Sequence, residues 1–235
     1  MKAIACATFI FLYVNSLLGQ DFKKDQFNIT SGVSIPYKDF AASGLDNSNL
    51  GNALIGFNLN IFVSHKFTEN LGITGGYILN TNQLDKYSLQ SNVEKLLPEF
   101  IFSMEKNSYK NQNILGGFLI CLPQKINSFE IRGMLGSALT IKPEINLVGH
   151  NVNGVIVDRN TARASSSSLC YYVSGTYRIK INENFGFNVG VSYLFTRPTF
   201  NGIQTNQTSQ GYTSTEINNY ALKVNIINFN VGLSL

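Results

Sequence analysis

Four charged residues stand out for their type and spacing. Glu130 and Arg132 lie two apart, and so do Arg178 and Lys180. On an extended chain a spacing of two puts both side chains on one face. A carboxylate grouped with three cations can relay protons or ions, or it can lock into a static salt-bridged cluster. The static cluster is the expected role, with Glu130 pairing to Arg178 or Lys180 across adjacent strands.

Other chemistry is sparse. Only His65 and His150 are present. A hydrolase would need a His beside a Ser on one face, and consecutive Ser64 and His65 point to opposite faces of a strand. The expectation is therefore no enzyme. No cluster of Cys, His and carboxylate has metal-site spacing, so no metal and no cofactor are expected. Asp46, Asn47 and Asn49 could hold a weak cation, but polar loop composition explains them better. Cys121 and Cys170 fall toward opposite ends of their segments, too far apart to bridge, and read as buried free thiols.

The elements that carry these residues come from the pattern. Lys+Arg number 18 against Asp+Glu 14, a balance of +4 that leaves no footprint for a nucleic-acid partner. The charged fraction of 14% is low beside roughly 25% for an ordinary soluble domain. Met1 to Gly19 has a basic start and an apolar run, the layout of a secretory signal peptide. The division expected is 1–19 signal peptide and 20–235 one β domain.

Beyond residue 20 the chain alternates. In Phe185 to Thr196, Phe185, Phe187, Val189, Val191, Tyr193 and Phe195 share a face, with Gly186, Asn188, Gly190 and Ser192 opposite. Period two is the strand signature. It recurs over Phe27–Ile35, Ala53–His65, Leu71–Asn80, Asn113–Leu122, Phe129–Lys142, Leu169–Ile181 and Asn219–Leu235, for eight strands in all. The last shifts phase near Ile226-Ile227, which predicts a bulge. Short turns alternate with long polar loops: Tyr37–Gly51, Gln83–Gln112, Pro143–Ser168 and Arg197–Asn218. An even strand number with loops sorted in this way predicts an all-β, eight-stranded, antiparallel up-and-down transmembrane barrel. A soluble barrel that holds a greasy ligand is the other geometry open to period two. The bulky, nearly uncharged face favours lipid outside, with small residues and the charges Glu130, Arg132, Arg178 and Lys180 filling the lumen.

The segment GGFLICLPQKINSFEIRGMLGSALTIKPEI (Gly116 to Ile145) resembles the outer-membrane β-barrel domains of Bacteroidetes. There a strand ends in a Leu-Pro turn and the next carries a Glu-Ile-Arg-x-x-x-Gly pattern. The closing NFNVGLSL is similar too, although Leu235 stands where many such barrels end in an aromatic. In topology the chain resembles the OmpA/OmpX-like group. The resemblance implies a place in the bacterial outer membrane among lipid and lipopolysaccharide, and assembly by the barrel assembly machinery. It implies no single activity. The expected role is structural or surface interaction through the long loops, with an envelope or extracellular protein as partner. The alternatives are a small-solute binding or transport barrel, or a subunit of a secretion or gliding complex.

Overall fold

The computed structural model describes residues 25–44, 50–124, 127–182, 185–209 and 212–235. The expected signal peptide lies outside the described residues, as do Asp46, Asn47 and Asn49. Eight strands form a closed barrel: β1 (Asp25–Tyr37), β2 (Ala53–Lys66), β3 (Leu71–Leu84), β5 (Ser108–Gln124), β6 (Asn127–Lys142), β9 (Ala164–Lys180), β10 (Gly186–Thr196) and β13 (Val224–Ser234). Around the wall the order is β1-β13-β10-β9-β6-β5-β3-β2, every neighbour antiparallel. The eight-stranded up-and-down barrel expected from the alternation is therefore the fold.

The faces are inverted relative to a soluble barrel. Outward residues are large and apolar, with Phe118 73% exposed and Val33, Ile73, Leu135, Val173 and Phe229 on the same surface. Inward residues are largely polar and buried, among them Asn58, Asn80, Asn111 and Asn188. Such a surface is stable only against lipid, where a lumen of amides also keeps its polar groups away from hydrocarbon. No described helix is long and apolar enough to cross a membrane, which says nothing of strands.

Two expectations are corrected. There is no bulge near Ile226, because β13 pairs with β1 and β10 in unbroken register through Ile226 and Ile227. Val224, Ile226, Asn228 and Asn230 all face in. The phase shift in the sequence is a change in what fills the lumen, from apolar to amide. The irregularity lies elsewhere, between Ala53 and Gly56 of β2.

The long stretches, in turn, are more than loops. They contain β4 (Phe100–Met104), β7 (Ile145–Asn151), β8 (Ile156–Thr161), β11 (Thr199–Ser209), β12 (Tyr212–Ala221) and α1 (Lys86–Leu96). The five strands make one sheet in the order β12-β11-β8-β7-β4, drawn from three separate connections. Period two is faint in these strands, since their outer side mixes polar residues with exposed Ile101 and Ile156; the other side faces inward. That side packs Leu89, Phe100, Phe102, Leu147, Val157 and Ile203 into a core continuous with the barrel mouth. Helix α1 starts at Asp85, whose carboxylate accepts from the Ser88 N–H at 3.1 Å and caps it.

Candidate functional site

The sequence-predicted charges sit at the end of the barrel with the short turns, and only two of them join as a pair. Glu130 and Arg132 are 0% and 2% exposed, and Arg132 Nη2 lies 2.5 Å from Glu130 Oε2. The partner of Glu130 is thus its neighbour on β6, not Arg178 or Lys180 across the ladder. Glu130 pairs in register with Thr176 on β9, which sets Arg178 farther along. Arg178 is half-buried and Lys180 exposed, because β9 is leaving the lumen there.

Five further residues surround the pair. Gln26 Nε2 donates to Glu130 Oε1 at 3.0 Å. Lys66 Nζ lies 4.0 Å from the same oxygen and 3.3 Å from Cys121 Sγ. Arg132 donates to Thr176 Oγ1 at 3.3 Å, and its guanidinium stacks over the Phe62 ring at 5.4 Å. Gln26 is on β1, diametrically opposite β6 in the strand order, so this bond crosses the lumen. Phe62 and Tyr172, on the opposed strands β2 and β9, cross it again with ring centroids 5.8 Å apart. The cavity left between them is about 10 Å³, room for about one water.

Parity placed Asn188 on the lumen face, but sequence reasoning missed the amide network as a whole, because composition assigns asparagine to turns. The signal was an Asn-x-Asn repeat: Asn58/Asn60, Asn80/Asn82, Asn111/Asn113 and Asn228/Asn230. Each pair shares the inward face. In register, Asn58 stands beside Asn80 and Asn80 beside Asn111. Asn60 Nδ2 bonds Asn230 Oδ1 at 3.1 Å and Thr30 Oγ1 at 3.0 Å, which links β2, β13 and β1. Amides suit this place because each offers donors and acceptors without a charge to desolvate.

His65 is on the outward face with Nδ1 2.6 Å from Asp25 Oδ1, while Ser64 is buried in the lumen, as their alternation requires. His150 belongs to β7, opposite Ile101 and Ile156, and not to a loop. Cys121 and Cys170 are both buried and free. Among the described residues no group of three or more His, Cys, Asp or Glu could hold a metal ion.

Outside the membrane, the five-stranded sheet is the largest built feature. Its hairpins β7-β8 and β11-β12 join through the β8-β11 pairing, and β4 adds to β7. Strand β12 is a free edge, exposed from Tyr212 to Asn219.

No protein-family model and no curated protein matches the chain. Solved structures do. The attachment invasion locus protein Ail of Yersinia pestis is 13% identical, covering 90% of this chain and 99% of that one, with a TM-score of 0.45. Neisserial surface protein A is 10% identical, with 90% and 96% covered and a TM-score of 0.45. The outer membrane protease OmpT from Escherichia coli is 9% identical, with 90% and 96% covered and a TM-score of 0.47. The closed wall, apolar belt and amide-filled interior of this chain make their own case. The chain is an outer-membrane β-barrel. Its lumen is crossed twice by side chains, and its apolar belt faces lipid.

Proposed function

We propose that this outer-membrane barrel is a surface-interaction protein, which holds its external sheet as a docking platform for an extracellular or envelope protein. One observation carries the reading: three connections pool their strands into a single sheet with an uncovered edge at β12. Independent loops would need no such pairing, and ordinary proteins cover or shorten a long edge. An edge with free N–H and C=O groups can accept a strand from a partner. In this reading the chain binds and does not catalyse. Residues 1–19 serve as the export signal, the barrel assembly machinery inserts the chain, and lipid with lipopolysaccharide surrounds it. The Gly116–Ile145 segment supports a place with the Bacteroidetes barrels of the OmpA/OmpX-like type. Glu130, Arg132, Arg178 and Lys180 then hold the interior shut and pass no ion.

The test is a pull-down from native outer membranes, comparing the full chain with one whose Thr199–Ala221 hairpin is replaced by a short Gly-Ser turn. A protein retained by the first and lost by the second is expected, with both barrels still shifting mobility when left unheated in detergent gels. Identical retained proteins would reject the platform.

A further inference from the structure

Beneath the external sheet, at the barrel mouth, lies a chamber of about 270 Å³. Its walls come from β5, β6, β7, β8, β11, β12, α1 and the segment after β1. Leu89, Ile145, Leu147 and Ile203 give it an apolar side. Its charged lining residues are Lys142 and Arg159, and no described carboxylate lines it.

Lys142 is unusual. It is 8% exposed, yet no ion pair reaches it among the described residues. Its Nζ lies over the Tyr220 ring, 5.1 Å from the centroid, a weaker partner than a carboxylate. Tyr220 also lines the chamber, and its hydroxyl is buried with no hydrogen-bond partner among the described residues. Arg159 shares a face of β8 with Val157 and Thr161, whereas Asp158 follows the other face. A buried ammonium without a counter-charge costs stability, and so does an unmet hydroxyl. Both costs fall on the same few ångströms of wall, where one anionic group would meet them together.

We propose that this chamber binds a small organic anion, with Lys142, Arg159 and the Tyr220 hydroxyl on its carboxylate or phosphate head and Leu89, Ile145 and Leu147 against its body. The chamber lies beneath the sheet, with Tyr220 near the end of β12 on its wall, and the proposal stands whether or not a protein docks along the exposed Tyr212–Asn219 stretch. It also lies above the lipid. Along β9 the outward residues run Val173, Tyr171 and Leu169, then Ser167 and Ser165, and Lys142 pairs with Ala164 beyond them. Among the described residues, the titratable and charged groups that line the chamber with Lys142 are Arg159 from β8, Tyr220 from β12 and Tyr109 from β5. Burial, reinforced by Arg159, brings the Lys142 ammonium down from its ordinary value to about 8. Burial raises the Tyr220 phenol, which keeps it a donor.

The experiment uses the full chain in non-ionic detergent and ligand-observed NMR with benzoate, phenyl phosphate, benzyl alcohol and benzylamine. One or both anions should bind and the neutral and cationic rings should not; which anion binds tighter distinguishes a carboxylate from a phosphate source. Lys142→Met, which keeps the stem, should weaken the anion at least about tenfold. Arg159→Gln, at an exposed position, should weaken it several-fold and carries the test if the first variant misfolds. Affinity should fall as pH rises through about 8 in the native chain and hold steady in Lys142→Met. The proposal is overturned if neither anion binds at millimolar concentration, if benzylamine or benzyl alcohol binds as tightly, or if a folded Arg159→Gln keeps full affinity.

Discussion

The barrel and the external sheet solve the same problem with opposite patterns. In the barrel Phe118 faces out and Asn113 faces in; in the sheet Phe102 and Leu147 face in while Thr213 and Thr215 face water. Single strands carry the change. Outward on β9, Val173 and Leu169 give way to Ser167 and Ser165 without a break in the ladder to β6. Inward on β13, Asn230 and Asn228 give way to Ile226 and Val224. The solvent changes, not the strand, so the switch of polarity marks where lipid ends. The 17 residues of β9 span roughly 55 Å at about 3.3 Å each, well beyond the bilayer's roughly 30 Å core. The two regions also differ at their edges. The barrel has none, and the sheet has two, at β12 and β4.

If closure is what stabilises the barrel, an obstruction between its strands should have the largest effect of any single change. A side chain at Gly136 would run into the backbone carbonyl of Ile114, and its Cβ would come within 2.8 Å of the Leu115 Cα. Neither is a flexible tip that can move aside. Gly136→Val should abolish the compact, heat-modifiable band in detergent gels. Gly133 faces open space, with nothing within 4 Å of a built Cβ, and Gly133→Ala should leave that band intact. Equal behaviour of the two would mean that strand spacing does not limit assembly.

Next in size is the lumen pair. Glu130→Ala leaves Arg132 buried without its partner, which costs about 3–5 kcal/mol, less where water reaches the site. Arg132→Ala strands Glu130 in the same way, with Lys66 at 4.0 Å as partial compensation. Because each single change leaves a charge and the double change leaves none, the double variant should cost much less than the sum. A double-mutant cycle on urea unfolding in detergent reads this directly. The same cycle on Glu130 and Arg178 should show far weaker coupling, and a strong one would contradict the geometry at the barrel end.

A smaller and more local loss should follow in the sheet. Leu147→Ala removes a core side chain at a typical cost of about 2–5 kcal/mol. That loss falls on the external sheet and its few inter-loop pairings. Limited proteolysis of intact cells should cut the external segments faster, while the heat-modifiable barrel persists. Loss of the barrel band would mean that the two regions fold as one unit.

How far the sequence could be read follows the same division. Alternation over lipid-facing Val, Ile and Phe made all eight barrel strands visible, because one face is apolar where the strand crosses lipid. The external strands were invisible for the reverse reason: β12 reads YTSTEINNYA, polar on both faces, and is held only by its pairing with β11. The lumen was half legible. Glu130 and Arg132 could be placed inside by parity, but their partners could not. Gln26 reaches Glu130 from the opposite wall, a contact fixed by barrel closure and not by local spacing. The chamber was not legible at all, since Lys142, Arg159 and Tyr220 come from three segments that pattern alone assigns to two strand ends and one loop.

The subtlest expected effect separates the two regions by pH. Lys142 belongs to the external core, and its folded ammonium titrates at about 8 against an ordinary 10.5. Between those values the unfolded chain keeps the proton that the folded chain has already released. Stability rises with pH wherever the unfolded state binds more protons. The external sheet should therefore become more resistant to thermal opening from about pH 8 to about pH 9.5, opposite to the alkaline loss expected where a lysine gains a carboxylate partner. The gain should be visible as slower proteolysis of the external segments after a brief heat step, and Lys142→Met should flatten it. Arg159 stays charged through the window, but burial keeps the Tyr109 and Tyr220 phenols protonated in the folded state, so above about pH 9.5, where unfolded tyrosines begin to ionise, they oppose the rise. A saturating organic anion should shift the rise to higher pH, because a bound negative charge holds the proton on Lys142. An unchanged profile in Lys142→Met would place the titrating group elsewhere and remove the buried, unpaired ammonium from the account of the chamber.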